Sequence, residues 1–261
     1  MIEFWDKQIQ RADQLASQES GSKELLSFYA QLLRAQKQVY EKLRRKDQPA
    51  TGDINKDITL IRHVMADLLE TVGLHGPSAL AEDAQDLLKG DTGTIDEALI
   101  DYWHNRSDIQ FFPKAILQPY LRWIMESDMQ PAGRKLSRSE HTCPSCGGNP
   151  QVSFLQSKES SAESGNRDLI CGTCLSSWEF RRVVCAYCGE ERPAKLGYFH
   201  SPEFDHIRIE ACDSCKRYIK GIDLTRNGLA APLVDEIYAA PLDLWAREHG
   251  YTKIELNLVG V

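Results

Sequence analysis

The 261-residue sequence predicts an α+β protein with a helical N-terminal bundle, two tandem zinc-ribbon modules and short C-terminal helices. Three observations predict this fold class. The first 138 residues contain no cysteine and carry apolar residues at helical spacing. The second segment, 139–222, holds four Cys-x-x-Cys pairs among short strand-like stretches. The third segment, 223–261, has two apolar stripes separated by Pro241. We therefore expect a helical domain over 1–138, metal modules over 139–184 and 185–222, and a closing segment over 223–261.

Apolar periodicity locates the helices of the N-terminal half. It predicts five helices, at 23–45, 58–72, 77–89, 94–103 and 114–125. Ser22 is a candidate N-cap for the first of them. Thr94 and Glu97 have the spacing of a capping box at the start of the fourth. Gly73 and Gly90 follow the second and third helices, where glycine commonly ends a helix.

Short stretches rich in β-branched and aromatic residues surround the cysteines and predict strands. They lie at 152–155, 169–170, 178–184, 196–199, 207–209 and 218–219. Modules of this size bury little apolar surface, so a bound ion would contribute folding free energy on the order of 10 kcal/mol. Beyond them, 232–249 predicts two short helices. Apolar residues alternate with polar ones at Ile254, Leu256 and Leu258, which predicts a final strand. We expect this strand and the two helices to pack back on the core.

The eight cysteines form four Cys-x-x-Cys pairs with none left over, namely Cys143/Cys146, Cys171/Cys174, Cys185/Cys188 and Cys212/Cys215. Successive pairs are separated by 24, 10 and 23 residues. A long gap allows a hairpin to bring two pairs together, whereas the short gap suits a connector between modules. The first two pairs therefore form one predicted tetrathiolate site and the last two form another, each with the four soft ligands of a zinc or iron ion.

An internal repeat supports two similar modules. The sequence Cys-Pro-Ser-Cys-Gly at 143–147 recurs 42 residues later as Cys-Ala-Tyr-Cys-Gly at 185–189. We expect Gly147 and Gly189 to adopt positive φ, which costs glycine little and turns backbone amides toward the sulfurs.

Three other uses of paired cysteines are open: disulfides, a thioredoxin-type redox pair and a metal cluster. Residues 1–7 lack the apolar region of a secretory signal, so we expect a cytoplasmic protein, in which structural disulfides are rare. A thioredoxin-type enzyme needs one pair within a βαβ pattern, which four pairs among turns do not resemble. Two mononuclear sites are the favoured interpretation.

Charge and hydropathy narrow the classes of partner. The formal net charge is −7, and residues 139–222 hold ten lysines and arginines against eleven acidic residues. Two divalent ions, each bound by four thiolates, would add a charge of −2 apiece, so this region would repel a phosphate backbone. A zinc-ribbon nucleic-acid binder is therefore a disfavoured alternative. No apolar run reaches the length of a membrane span, so we expect no membrane partner.

The cysteine region resembles the formate dehydrogenase accessory protein family (FdhE). The similarity rests on Cys-Pro-x-Cys-Gly at 143–147, on Cys171-x-x-Cys174 followed by Trp178, on Cys185-x-x-Cys188, and on the run Glu-Ala-Cys-Asp-x-Cys-x-x-Tyr-x-Lys at 210–220. It is specific over 143–222 and looser toward Gly250 and Tyr251. The resemblance implies a cytoplasmic, non-catalytic protein with two rubredoxin-like modules that bind iron, although the cysteines themselves would accept zinc equally well. It also implies binding to the catalytic subunit of a formate dehydrogenase.

The resemblance also suggests where a partner binds. Residues that match the family pattern around the metal modules are candidates for a partner surface, or for a solvated hairpin face, namely Trp178, Glu210, Asp213, Tyr218 and Lys220. The sequence shows no catalytic constellation, and an ion with four thiolates has no open position to activate water, so we expect no enzyme activity. A second alternative is a redox protein in which bound iron passes electrons to the dehydrogenase. The sequence leaves the oligomeric state open.

Overall fold

The computed structural model describes residues 2–45, 50–105, 110–127, 129, 131–133, 139–157 and 166–261. Within these ranges the chain forms a bundle of helices followed by a mixed sheet that carries the cysteines, and two further helices. This arrangement confirms the predicted fold class. The boundary predicted at Arg138 lies outside the described residues.

Six helices make up the described N-terminal half: α1 (Ile2–Ala16), α2 (Lys23–Arg45), α3 (Ile54–His75), α4 (Ser78–Lys89), α5 (Thr92–His104) and α6 (Phe111–Glu126). Helix α2 has the predicted bounds, because its buried face is apolar except for Gln36. Helix α1 was not predicted, since its buried face includes the polar side chains of Gln8 and Arg11 as well as Trp5 and Leu15. No helix in the described ranges combines the length and apolar character needed to cross a bilayer.

Two predicted helix ends are wrong: α3 continues past Gly73 to His75, and α5 begins before Thr94. The N-cap of α5 is Asp91, so Thr94 lies inside the helix and forms no capping box. Ser22 lies at the predicted N-cap position of α2, because its carbonyl accepts from the N–H of Leu26 at 2.9 Å, and its hydroxyl donates to the carbonyl oxygen of Tyr238 at 2.8 Å. In this position Ser22 ties the start of α2 to the C-terminal part of the chain.

The described strands form one seven-stranded sheet. They are β1 (Pro150–Gln156), β2 (Asn166–Cys171), β3 (Ser177–Phe180), β4 (Leu196–His200), β5 (Ile207–Cys212), β6 (Arg217–Asp223) and β7 (Thr252–Lys253). Their order is β3-β2-β1-β6-β5-β4, and β7 pairs with the start of β6. The two halves, β1–β3 and β4–β6, are each antiparallel. Parallel pairing of β1 with β6 joins them. The predicted modules therefore share a sheet.

The C-terminal segment forms helices α7 (Pro232–Tyr238) and α8 (Ala240–Glu248), as predicted. Pro241 lies in the first turn of α8, where its missing N–H costs nothing. The strand predicted over 254–258 is wrong, because β pairing ends at Lys253. Asn257 accepts hydrogen bonds from the backbone N–H groups of Val259 and Val261, which folds the tail into turns.

One main hydrophobic core runs through the molecule. It includes side chains from the N-terminal helices, β1, β5, β6 and α7, together with the first four cysteines. A smaller cluster lies beside the later cysteines and contains Leu169, Phe180, Val184, Ala186, Ile219 and Ile254. The first four cysteines are thus part of the main core, whereas the last four lie at its periphery.

Candidate metal centres

Each Cys-x-x-Cys pair forms a tight turn that is closed by one backbone hydrogen bond. The residue after the pair donates its N–H to the carbonyl of the first cysteine, at 2.7 Å from Gly147, 3.1 Å from Leu175, 3.1 Å from Gly189 and 2.8 Å from Lys216. All four donors have positive φ, between 57° and 75°. This confirms the conformation predicted for the two glycines and shows that two larger residues adopt it as well.

These turns direct backbone amides at sulfur atoms. The N–H of Thr173 lies 3.3 Å from Sγ of Cys171, and the N–H of Tyr187 lies 3.4 Å from Sγ of Cys185. Such hydrogen bonds favour the thiolate, which is the form of cysteine that binds metal. Both hydrogen bonds form within a single turn, so the local backbone places a donor at each of these two sulfurs.

The first two pairs converge as predicted into one group, here called the first site. Sγ of Cys143 is 3.6 Å from Sγ of Cys174, and Sγ of Cys146 is 3.5 Å from Sγ of Cys171. The other two pairs form the second site, where Cys185–Cys215 and Cys188–Cys212 are each 3.7 Å apart. Within each site all four sulfurs lie within 4.8 Å of one another.

The sulfur positions suit a tetrahedral ion. With metal–sulfur bonds of about 2.3 Å, the sulfurs of a regular tetrahedron are about 3.8 Å apart. A disulfide would need about 2.05 Å, and all eight cysteines are free thiols. The described cysteines therefore form two tetra-cysteine groups that could each hold one metal ion. Thiolates suit zinc and iron alike, so the geometry accepts both.

The two sites differ sharply in exposure. All four cysteines of the first site are fully buried. In the second site Cys188 is exposed and Cys215 is partly exposed, while Cys185 and Cys212 are buried. Solvent and small reagents can thus reach the second site directly, whereas they reach the first site only when the surrounding hydrophobic core opens.

Helix α6 fastens the first site to the helical bundle. Nε2 of Gln118 donates to the carbonyl of Gly172 at 2.8 Å, and Nη1 of Arg122 donates to the carbonyl of Leu175 at 3.0 Å. One turn earlier, Nζ of Lys114 contacts Oε1 of Glu255 at 2.6 Å. The three donors are spaced four residues apart, so they lie on one face of α6. We did not single out these residues from the sequence, although a polar stripe in an otherwise apolar helix is a readable signal.

Local contacts support the turn at Gly189 in the second site. His141 packs against the ring of Phe180 and lies next to Gly189, where a Cβ atom would come within 2.9 Å of its Nε2. The guanidinium of Arg217 stacks 4.2 Å from the ring centroid of Tyr187, which lies between two cysteine ligands. These packing contacts hold the exposed turn in place.

At least three of the cysteine thiols must lose a proton before they can bind an ion. Burial raises the pKa of Cys185 to about 11 and also raises the pKa of Cys215. Hydrogen bonds with the neighbouring thiols, first with Cys143, raise the pKa of Cys174. Binding of an ion must therefore displace protons, so affinity should fall as the pH is lowered.

The predicted partner surface is wrong for three of its five residues, because their side chains are buried. Tyr218 and Lys220 are 0% exposed and Glu210 is 9% exposed. Lys220 pairs with Asp243, and burial together with the charge of Lys253 lowers the pKa of Lys220 to about 8. Tyr218 and Lys220 both contact Asp243 and so join the sheet to α8, and no partner can reach the three buried side chains in this structure.

The Glu210 carboxylate forms a second internal ion group, with Arg167 at 2.5 Å and Arg208 at 2.7 Å. Burial raises its pKa, but the two guanidinium groups outweigh this effect and hold the pKa below its ordinary value. Trp178 is partly buried and donates to the carbonyl of Glu140 at 3.1 Å. Asp213 is exposed and accepts a hydrogen bond from Tyr251.

Comparison with known proteins assigns the family. The family models described as FdhE, central domain, and FdhE, C-terminal domain, match residues 142–182 and 183–259. The FdhE homolog of Aquifex aeolicus is 35% identical over 196 residues, which cover 74% of this chain and 68% of that protein. The chain belongs to the FdhE family. The FdhE homolog of Haemophilus influenzae strain Rd is 25% identical over 217 residues, covering 80% of this chain and 70% of that protein.

A solved FdhE structure has the same fold. The crystal structure of the FdhE protein from Pseudomonas aeruginosa matches with a TM-score of 0.73, covering 100% of this chain and 97% of that chain at 21% identity. The helical bundle, which carries no family motif that we could read, is thus part of a known FdhE architecture.

Proposed function

We propose that this FdhE protein is an accessory protein that binds the catalytic subunit of a formate dehydrogenase and supports its assembly or activity. Membership of the FdhE family carries the proposal. The two tetra-cysteine sites support it, because a bound ion at each would give the sheet the rigidity of a docking platform. We expect it to act in the cytoplasm, where a reducing environment keeps all eight cysteines available as ligands.

The proposed role is binding and not turnover. Each site supplies four thiolates, so a bound zinc or iron ion would be coordinatively closed and could not activate water. The chain's own contribution is to hold sulfurs at fixed separation and to join the sheet to the bundle through α6. The acidic balance of residues 139–222 argues against nucleic acid as the partner.

Affinity capture tests this proposal. A tagged copy should recover the catalytic subunit of a formate dehydrogenase from formate-grown cells, and deletion of the gene should reduce formate oxidation. A negative control is the same tagged protein with Cys146→Ser, which should lose the first ion, and with it the fold, and recover less subunit. Failure to recover the subunit, together with normal formate oxidation in the deletion strain, would refute the proposal.

A second candidate function is electron transfer through iron at the second site. The exposure of Cys188 favours it, because an electron carrier needs its metal close to the surface. Metal analysis of protein purified without air decides the matter. Iron with thiolate charge-transfer absorption on oxidation would keep this candidate open, whereas zinc in both sites excludes it, since zinc has no redox chemistry.

A further inference from the structure

Strand β4 is an edge of the sheet, because among the described residues β5 is its only partner strand. Its sequence, Leu-Gly-Tyr-Phe-His, contains no proline, lysine, arginine or acidic residue, and its pairing with β5 has no bulge. Proteins commonly protect an edge strand with one of these features. The opposite edge strand, β3, carries the exposed Glu179. The outer side of β4, here called the β4 edge, is therefore the unprotected end of the sheet.

The register of the sheet shows which main-chain groups of β4 point outward. The N–H of Asp213 donates to the carbonyl of Lys195 at 2.8 Å. Hydrogen-bonded positions alternate along a pair of antiparallel strands, so Gly197 and Phe199 make the next bonds to β5. Tyr198 lies between them, and its N–H and carbonyl therefore point away from the sheet.

Four main-chain groups thus form a row along the β4 edge, namely the carbonyl of Leu196, the N–H and the carbonyl of Tyr198, and the N–H of His200. None of the four bonds to a main-chain group of the described residues. Successive residues of this row are two positions apart, at about 6.7 Å, which is the repeat of any extended chain. The row therefore matches the main chain of an added β-strand.

Aromatic side chains flank the β4 edge on both faces of the sheet. On one face Tyr198 is 40% exposed, and the guanidinium of Arg208 stacks 5.1 Å from its ring centroid. On the other face the partly exposed rings of Phe199 and Trp245 have centroids 4.7 Å apart. Side chains of a strand alternate between the two faces, so successive apolar residues of an added strand would lie against Tyr198 and Phe199 in turn.

The charges beside the β4 edge favour an acidic segment over a second copy of this chain. Lys195 is exposed and directly precedes β4. Arg182 is also exposed, and its carbonyl accepts a hydrogen bond from the Tyr198 hydroxyl at 3.4 Å. These two cations attract an acidic residue. Two copies of this chain, each with a net charge of −7, repel one another instead.

We propose that the β4 edge binds an extended segment of the catalytic subunit of a formate dehydrogenase as an additional strand of the sheet. The main chain of the segment pairs with Tyr198 and its outward-facing neighbours, and an acidic residue of the segment reaches Lys195. The source of the segment rests on the proposed function, whereas its extended conformation follows from the row of main-chain groups. Leu196 pairs with Cys212, so the segment binds next to the second site.

Hydrogen exchange tests the β4 edge in the wild-type, metal-loaded protein, measured with and without the purified catalytic subunit. The outward-facing amides of Tyr198 and His200 should exchange at least tenfold more slowly in the complex. Residues 177–180 of β3, the other edge strand, are the internal control and should keep their rates. A complex that leaves the exchange of Tyr198 and His200 unchanged would overturn the proposal.

A pair of variants at one position tests the main-chain hydrogen bond. Tyr198→Pro removes the outward N–H but keeps the bonds of β4 to β5, because proline is tolerated where the N–H of an edge strand faces solvent. Tyr198→Thr also removes the ring but keeps the N–H. Tyr198→Pro should bind the subunit about tenfold more weakly than Tyr198→Thr, with both variants carrying two metal ions. Ser177→Pro, on β3, should bind like the wild type. Equal affinity of the two Tyr198 variants would overturn the added strand.

A charge reversal tests the acidic residue of the segment. Lys195→Glu should bind the subunit about fivefold more weakly than the wild type, and the difference should shrink as salt is added. Lys89→Glu, at an exposed lysine of α4, is the control and should bind normally. Equal binding by Lys195→Glu and Lys89→Glu would overturn the role given to Lys195.

These measurements separate the docking site from the proposed function. Binding of the subunit that is unaffected by Tyr198→Pro and does not protect β4 would overturn the docking site and leave the proposed function intact. A wild-type dimer that Tyr198→Pro dissociates would show that a second copy is the occupant, which would overturn the assignment to the subunit. No binding even by the wild type would refute the proposed function, and with it the source of the segment.

Discussion

The residue after each Cys-x-x-Cys pair adopts the same backbone conformation, but only two of the four are glycine. Gly147 and Gly189 reach positive φ at no steric cost, whereas Leu175 and Lys216 do so at φ of 60° and 57°. A non-glycine residue is held there only when its surroundings require it. At these two positions the requirement is the hydrogen bond that closes the turn around the sulfurs.

The turn of the second site gives a pair of opposed predictions. Gly189→Ala should lower the free energy of unfolding by about 1–3 kcal/mol, because alanine is strained at this φ and its Cβ meets His141. Lys216→Gly should change it by less than about 1 kcal/mol, because relief of strain offsets the greater freedom of glycine in the unfolded chain. Urea unfolding of the metal-loaded variants measures both. Equal stability of Gly189→Ala and the wild type would contradict the constraint at Gly189.

A buried carboxylate makes stability depend on pH. Asp235 pairs with Arg11 at 2.6 Å and with Nε2 of His206 at 2.9 Å. The hydrogen bond to Asp235 raises the pKa of His206 above its ordinary 6.5. Because the folded pKa is the higher one, the stabilisation is complete below pH 6.5 and is lost as the pH rises through the folded value.

Substitution of His206 should reveal this dependence. The difference in melting temperature between the wild type and His206→Gln should be largest near pH 6 and should shrink as the pH rises. His63→Gln, which changes an exposed histidine, should show no such trend. Thermal unfolding from pH 6 to 9 measures the effect. A difference that stays constant or grows with pH would contradict the pairing.

At the scale of elements, α6 is the connection between the bundle and the first site. Lys114, Gln118 and Arg122 form a polar stripe, and each donates a hydrogen bond to the cysteine region or the C-terminal tail. Gln118 also accepts from Gln36 of α2 at 3.0 Å, so three elements meet at one amide. Packing of the first site therefore depends on a helix about fifty residues away in sequence.

Removing the central amide should loosen the first site. Gln118→Leu leaves the buried carbonyl of Gly172 without its donor, which should lower the free energy of unfolding by about 1–3 kcal/mol. Release of the ion from the first site should accelerate, while release from the second should not. Gln18→Leu, at an exposed glutamine, is the control. Chelator kinetics and urea unfolding measure the two effects, and an unchanged release rate would contradict the role of α6.

The ease of prediction differed among elements for physical reasons. Helix α2 and the cysteine pairing could be read because periodicity and ligand spacing are local properties of the sequence. The sequence did not reveal that the two modules share one sheet, because the parallel pairing of β1 with β6 joins residues nearly seventy positions apart. Lys220 looked like a surface charge because its partner Asp243 lies on a helix that folds back over the sheet.

On the scale of the whole molecule, the two metal sites have different surroundings. The main core encloses the first site, and only a small satellite cluster supports the second. The duplicated sequence therefore yields two sites with equal ligands and unequal protection. Loss of the first ion should disturb the whole fold, whereas loss of the second should remain local.

This asymmetry predicts two phases of metal release. A chromogenic chelator should remove one ion quickly from the second site, where Cys188 is exposed, and the other slowly from the buried first site. Cys188→Ser should eliminate the fast phase, and only the slow phase should be accompanied by loss of circular dichroism. Acidification should speed both phases, because protons compete for the thiolates. A single phase that releases both ions would contradict the asymmetry.

Native mass spectrometry of the protein mixed with a purified formate dehydrogenase catalytic subunit, without air, tests the central claim most directly. One spectrum reports the ions bound per chain and the formation of a complex. We expect a chain that carries two metal ions and binds the catalytic subunit. A chain with both ions in place that forms no complex with the subunit at micromolar concentration would contradict the proposed function.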